Sequence, residues 1–118
     1  MAEVVASAAR TTTGNSGAQR SPALDESGHI ALSSDLNLLV VVTAASGTSP
    51  SATFSVEWSA DGTNFCAADP PDTFTAITTA VNKVKQFGIK GSLYRIVWTI
   101  TGTTPSFTFS INDHGTEA

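Results

Sequence analysis

The sequence predicts an all-β protein, an antiparallel two-sheet sandwich of immunoglobulin-like or jelly-roll type with an extended N-terminal arm. Three observations carry this reading. Seventeen Thr and fourteen Ser in 118 residues, with only 14% charged, make a composition poor in helix formers and rich in strand and turn residues. Several windows alternate apolar and polar side chains with a period of two. Turn signals built from Gly, Pro and Asp separate those windows at short intervals. A chain of 12.2 kDa fits one small domain, divided here into an arm over residues 1–34 and a sandwich over residues 35–118.

The arm comes first. Residues 11–22 (TTTGNSGAQRSP) hold no large apolar side chain and cannot build a core of their own. A polar segment at a chain end needs a surface to order it, either a neighbouring subunit, another protein or the flank of its own domain. Val4 and Val5 suit small pockets or the extension of a neighbouring sheet edge through main-chain hydrogen bonds. Arg10 and Arg20 suit bidentate contacts with carboxylates. These four are the arm's candidate partner-binding residues. Residues 1–24 carry a net charge of +1 and residues 25–118 a net of −5, so a slightly basic arm sits beside an acidic body.

The body reads as strands throughout. A short strand is expected at residues 29–32 and a central, β-branched one at 36–43. Residues 53–58 alternate, with Phe54, Val56 and Trp58 on one face and Thr53, Ser55 and Glu57 on the other. Asp61-Gly62 signals a tight turn, returning the chain along 64–68 as a hairpin. Asp69-Pro70-Pro71-Asp72 breaks the ladder, because proline supplies no amide donor. Residues 74–79 and 84–89 are shorter candidates, 93–101 is the second long strand, and 106–111 alternates again. Trp58, Trp98, Phe54 and Phe109 are the expected core.

An internal repeat underlies the two long strands. Residues 38–56 laid over 93–111 give nine identities in nineteen positions, centred on a shared Gly-Thr-x-Pro-Ser. Gly permits positive φ and Pro fixes φ without donating, so this unit predicts the same turn used twice at matching ends of long hairpins. Gly47, Pro50, Gly102 and Pro105 are therefore candidate partner-binding loop residues.

No chemistry-bearing constellation emerges. His29 and His114 lie at no ligand spacing from each other or from Cys66, and the carboxylates of Asp61, Asp69, Asp72 and Asp113 sit in ordinary turn contexts. Phosphate-loop, nucleophile-elbow and metalloprotease motifs are missing from the sequence. The expectation is a non-enzyme without metal or cofactor. A sequence pI near 4.8 argues against nucleic acid as a partner. Lys83, Lys85, Lys90 and Arg95 read as a solvated edge strand protected against aggregation. The lone Cys66 reads as a small packed side chain in a protein made in a reducing cytosol. The first nine residues do not read as a secretion signal. The longest apolar run, residues 38–42, falls far short of the roughly 20 residues a membrane-spanning helix needs, so no membrane partner is expected.

Two stretches carry a resemblance. Residues 58–65 (WSADGTNF), with 94–99 (YRIVWT) running into 102–107 (GTTPSF), make the chain similar to small β-sandwich virion proteins of tailed bacteriophages. Within that group it most resembles head decoration (cement) proteins, over roughly residues 36–112. The resemblance implies a structural protein made in the host cytoplasm and bound in many copies to the major capsid protein. It would sit on the capsid surface of the virion, stabilising it, as a homo-oligomer (dimer or trimer). A tail or head–tail connector subunit is the alternative within viruses, and a carbohydrate-binding or adhesion module the alternative outside them. Buried Trp residues favour the virion readings, whereas a solvent-facing Trp, or Tyr94 beside Asp61, favours the glycan reading.

Overall fold

The computed structural model describes residues 2–20 and 33–117. They form seven strands and, among the described residues, no helix: β1 (Ala2–Arg10), β2 (Gly14–Asn15), β3 (Gln19–Arg20), β4 (Ser33–Ser59), β5 (Cys66–Thr73), β6 (Val81–Gly88) and β7 (Leu93–Glu117). The protein is all-β, as the composition predicts, and every strand pairing is antiparallel. β4 and β7 form the spine, pairing from Ser33↔Glu117 to Ser59↔Leu93. β5 and β6 flank β4, while β1, β2 and β3 flank β7.

Alternation along the spine builds the core. Leu36, Leu38, Val40 and Val42 are buried in the first half of β4, and Phe54, Val56 and Trp58 in its second half. Tyr94, Ile96 and Trp98, then Phe107, Phe109 and Ile111, repeat the pattern along β7. Both halves contribute to one apolar cluster. Tyr94 and Asp113 reveal how. Nineteen residues of straight strand span about 60 Å, yet the Tyr94 hydroxyl donates to Asp113 Oδ2 at 2.5 Å. The ladder therefore folds back on itself. Phe54 and Phe109 meet edge to face with centroids 4.9 Å apart, and Trp98 meets Phe109 at 5.2 Å.

The bend falls on the repeated Gly-Thr-x-Pro-Ser segments, and here the expectation of hairpin loops is corrected. Gly47 and Pro50 lie within β4, Gly102 and Pro105 within β7, and the two segments cross with Thr48 paired to Thr103. Positive φ values recur at matched positions, 113° at Gly47 and 123° at Gly102, then 50° at Ser49 and 46° at Thr104. A Cβ on Gly47 would stand 2.7 Å from the Thr104 carbonyl oxygen, and one on Gly102 would stand 2.9 Å from that of Ser49. Each glycine leaves the space the other segment fills. The pairs flanking the crossing obey the same approximate two-fold, Ala45↔Phe107 and Ser46↔Ser106 matching Ala52↔Ile100 and Ser51↔Thr101.

Other expectations change as well. Residues 2–20 do not stand off as an arm, because β1, β2 and β3 pair with β7. The driving force is the unpaired flank of β7, whose main-chain groups need partners. Val5 joins the core outright, and Val4 packs against it. The strand expected at 74–79 reduces to one bridge, Ala52↔Ile77, beside a buried Phe74. Residues 68–71, with both prolines, bulge out of the β4–β5 ladder between Glu57↔Ala67 and Val56↔Asp72. Cys66 is exposed, not packed. The short strand expected at 29–32 lies outside the described residues.

Candidate functional site

The segment from Ala9 to Asn15 runs beside Trp98 and encloses a groove of about 360 Å³. Local chemistry fixes its floor. The Ser16 amide donates to the Ile96 carbonyl at 2.8 Å, and the Ile96 amide donates back to Ser16 Oγ at 2.9 Å. The Ile100 amide donates to Thr13 Oγ1 at 3.1 Å. Two hydroxyl side chains three residues apart thus complete the hydrogen bonding of the β7 flank where the short β2 cannot. Gly14 allows the close approach, since a Cβ there would sit 3.1 Å from the Trp98 indole nitrogen. Asn15 then turns the chain, its side-chain oxygen accepting the Gly17 amide at 2.9 Å.

Arg10 forms one wall. Its guanidinium lies 4.5 Å from the Phe109 ring centroid and 5.2 Å from that of Trp98. Nη1 donates to the carbonyls of Ala8 and Phe109, both at 3.1 Å, and Nη2 to that of Ala6 at 3.0 Å. Carbonyl dipoles orient the cation but do not neutralise it. Among the described residues no carboxylate pairs with it, and partial burial lowers its pKa from the ordinary arginine value. The result is a held, partly desolvated positive charge beside the exposed Thr11 and Thr12. Such a group is suited to receive an oxyanion.

The sequence-predicted residues do not converge on this site. Arg10 lines it, while Val4 and Val5 serve the core. The backbone of Arg20 pairs with Leu93 at the far end of β3. Gly47, Pro50, Gly102 and Pro105 form the crossing. Trp98, expected in the core, also lines this groove, whereas Thr13 and Ser16 carry no expectation from the sequence. The signal for Thr13 and Ser16 was their spacing astride Gly14-Asn15, which places both hydroxyls toward one neighbouring strand.

The remaining titratable groups have structural duties. Asp61 Oδ1 accepts the amides of Asn64 and Thr63, each at 2.8 Å, and Oδ2 accepts the Asn64 side chain. The Asn64 and Thr63 amides, with the side chains of Asn64 and Ser59, hold its pKa well below the usual carboxylate range. Asp72 accepts the Trp58 indole N–H at 2.8 Å and pairs with Lys90 at 2.9 Å. Arg95 pairs with Glu57 at 2.6 Å. Burial raises the Tyr94 phenol pKa far above its usual value, and the bond to Asp113 and that residue's charge add to the shift. Both Trp are buried and Tyr94 faces Asp113, not Asp61. Buried rings and a Tyr94 turned to Asp113 weigh against an exposed aromatic platform for glycans.

No protein-family model matches the chain, and no curated protein matches it.

Proposed function

We propose that this chain is a two-layer β-sandwich acting as a structural virion protein, a decoration subunit on the outside of a phage capsid. Support for two layers comes from the Tyr94–Asp113 bond and the Phe54–Phe109 contact, which lie between halves of one folded ladder. The observation that carries the binding role is Arg10, stacked on two rings, unneutralised by any described carboxylate and opening on a polar groove. A guanidinium held this way is a ready receptor for a carboxylate of the major capsid protein. With residues 2–20 paired to their own body, the contact is a fixed surface and not a wrapping arm. Weak single contacts repeated over a shell, and joined through a dimer or trimer, then act by avidity.

Co-sedimentation with undecorated capsids of the parent virus tests this. The wild-type protein should pellet with shells at saturating occupancy and raise their melting temperature. Arg10→Gln should lower affinity at least tenfold while keeping a β-type circular dichroism spectrum. Recovery only with tails would transfer the protein to the tail or connector reading. Failure to bind either would remove the virion reading altogether.

A further inference from the structure

Among the described residues four edges bound the folded ladder, and three are blocked. β1 carries two register shifts, and Arg10 occupies the carbonyls of Ala6 and Ala8. β2 and β3 are two residues each. β5 is interrupted by the bulge holding Pro70 and Pro71. β6 differs. It pairs with β4 from Asp35↔Gly88 to Val42↔Val81 without irregularity, and among the described residues no strand lies on its other side. An eight-residue regular edge is a template for another strand. Val84, in its middle, is 71% exposed and is the one large apolar side chain in that state among the described residues.

The charges on β6 choose the occupant. Phe87 is buried, so the odd-numbered residues Val81, Lys83, Lys85 and Phe87 share the core-side face, and Asn82, Val84 and Gln86 the outer one. Two lysines therefore point inward on an edge strand, a device that repels indiscriminate pairing. Lys85 Nζ donates to the Thr73 carbonyl at 2.6 Å, one of three N–H groups it offers. A second copy is the wrong partner, because antiparallel pairing of two β6 strands about Val84 sets Lys83 opposite Lys85 twice. A strand with carboxylates at those two positions turns the same repulsion into attraction.

We infer that β6 is a strand-addition site for an extended acidic segment of another protein, with carboxylates facing Lys83 and Lys85 and an apolar residue beside Val84. The inference needs no capsid and is independent of the Arg10 groove. Antiparallel register dictates a probe, the peptide acetyl-VTEVETV-amide, whose glutamates fall opposite the two lysines and whose central valine falls opposite Val84.

Amide shifts of the full chain, titrated with this peptide, test it. Perturbation and exchange protection should map to residues 81–88. The lysine counterpart, acetyl-VTKVKTV-amide, should bind at least tenfold more weakly. Val84→Lys, at an exposed position, should melt as the wild type and lose at least tenfold in affinity, and Lys83→Glu should do the same. Absent shifts, equal binding of the two peptides, or perturbation centred on β1 or β5 would overturn it. So would slow exchange of the 81–88 edge amides in the free protein, which would mean the chain covers this edge itself, or a dimer formed through β6.

Discussion

Gly47→Ala should damage this protein far more than its position in a polar stretch suggests. The new Cβ would meet Thr104 O at 2.7 Å, and Pro105 Cα and Thr103 O at 2.9 Å. All three belong to backbone, which no rotamer change moves aside. The φ of 113° adds conformational strain, worth about 1–3 kcal/mol for a residue with a side chain. Displacing packed backbone costs roughly another 1–3 kcal/mol. A loss of about 2–6 kcal/mol from a total of about 5–15 should lower Tm by roughly 8–24 °C, at about 4 °C per kcal/mol. Gly17→Ala is the internal control. It shares a positive φ of 76°, but a Cβ there meets nothing within 4 Å, so only the conformational part remains. Thermal and urea melts of both variants, with Gly102→Ala and the double variant, separate the two contributions. Gly102→Ala should match Gly47→Ala, and the double should fall short of additivity because both press on one crossing. Equal melting of Gly47→Ala and Gly17→Ala would refute the interlocked crossing.

Tyr94→Phe removes the donor to Asp113 and should cost about 1.5–3 kcal/mol, as for a hydrogen bond to a charged group. Because the folded-state phenol pKa is raised, its stabilisation is full below the unfolded value near 10 and is lost as pH rises beyond it; urea midpoints should fall above about pH 10 in the wild type and less steeply in Tyr94→Phe. Asp61 has the opposite sign. Its depressed pKa means stability present above the unfolded value near 3.9 and lost as pH falls, so the Tm difference between pH 6 and about pH 2.5 should shrink in Asp61→Asn. Deleting residues 1–10 removes buried Val5 and the Arg10 side chain stacked on Phe109, costing about 1.5–3 kcal/mol for the valine alone; an unchanged urea midpoint would restore the detachable arm.

The spine was legible because period-two alternation directly encodes which face is buried. Phe54, Val56 and Trp58 point inward as their spacing demands. The crossing was half legible. Its residues were found through the repeat, but glycine with positive φ followed by proline is also how a turn is written, and local text cannot tell the two apart. What decides is that each segment fills the other's missing Cβ, a relation between segments offset by 55 positions. Residues 2–10 misled for a similar reason. Their small side chains offer little burial, and the strand forms because the β7 flank offers main-chain partners. Stacking of Arg10 on Trp98 spans 88 positions and leaves no local signal.

The approximate two-fold also suggests where to look for function. It relates the two halves of the spine, including Phe54 and Phe109, which occupy equivalent repeat positions and touch each other. Under it, the edge beside the first half of β4 corresponds to the edge beside the first half of β7. The first is β6, eight regular residues with inward lysines. The second is β2 and β3, two short bridges with the Arg10–Trp98 groove at their end. Duplication of a hairpin would supply matched centres but not matched edges, and the repeat stops where the centre ends. Along the spine the glycines and aromatics satisfy packing twice in the same way. At the edges the two halves differ, one ending on the regular β6 edge and the other on the Arg10–Trp98 groove. A partner that used both at once would read the asymmetry and bind in one orientation only.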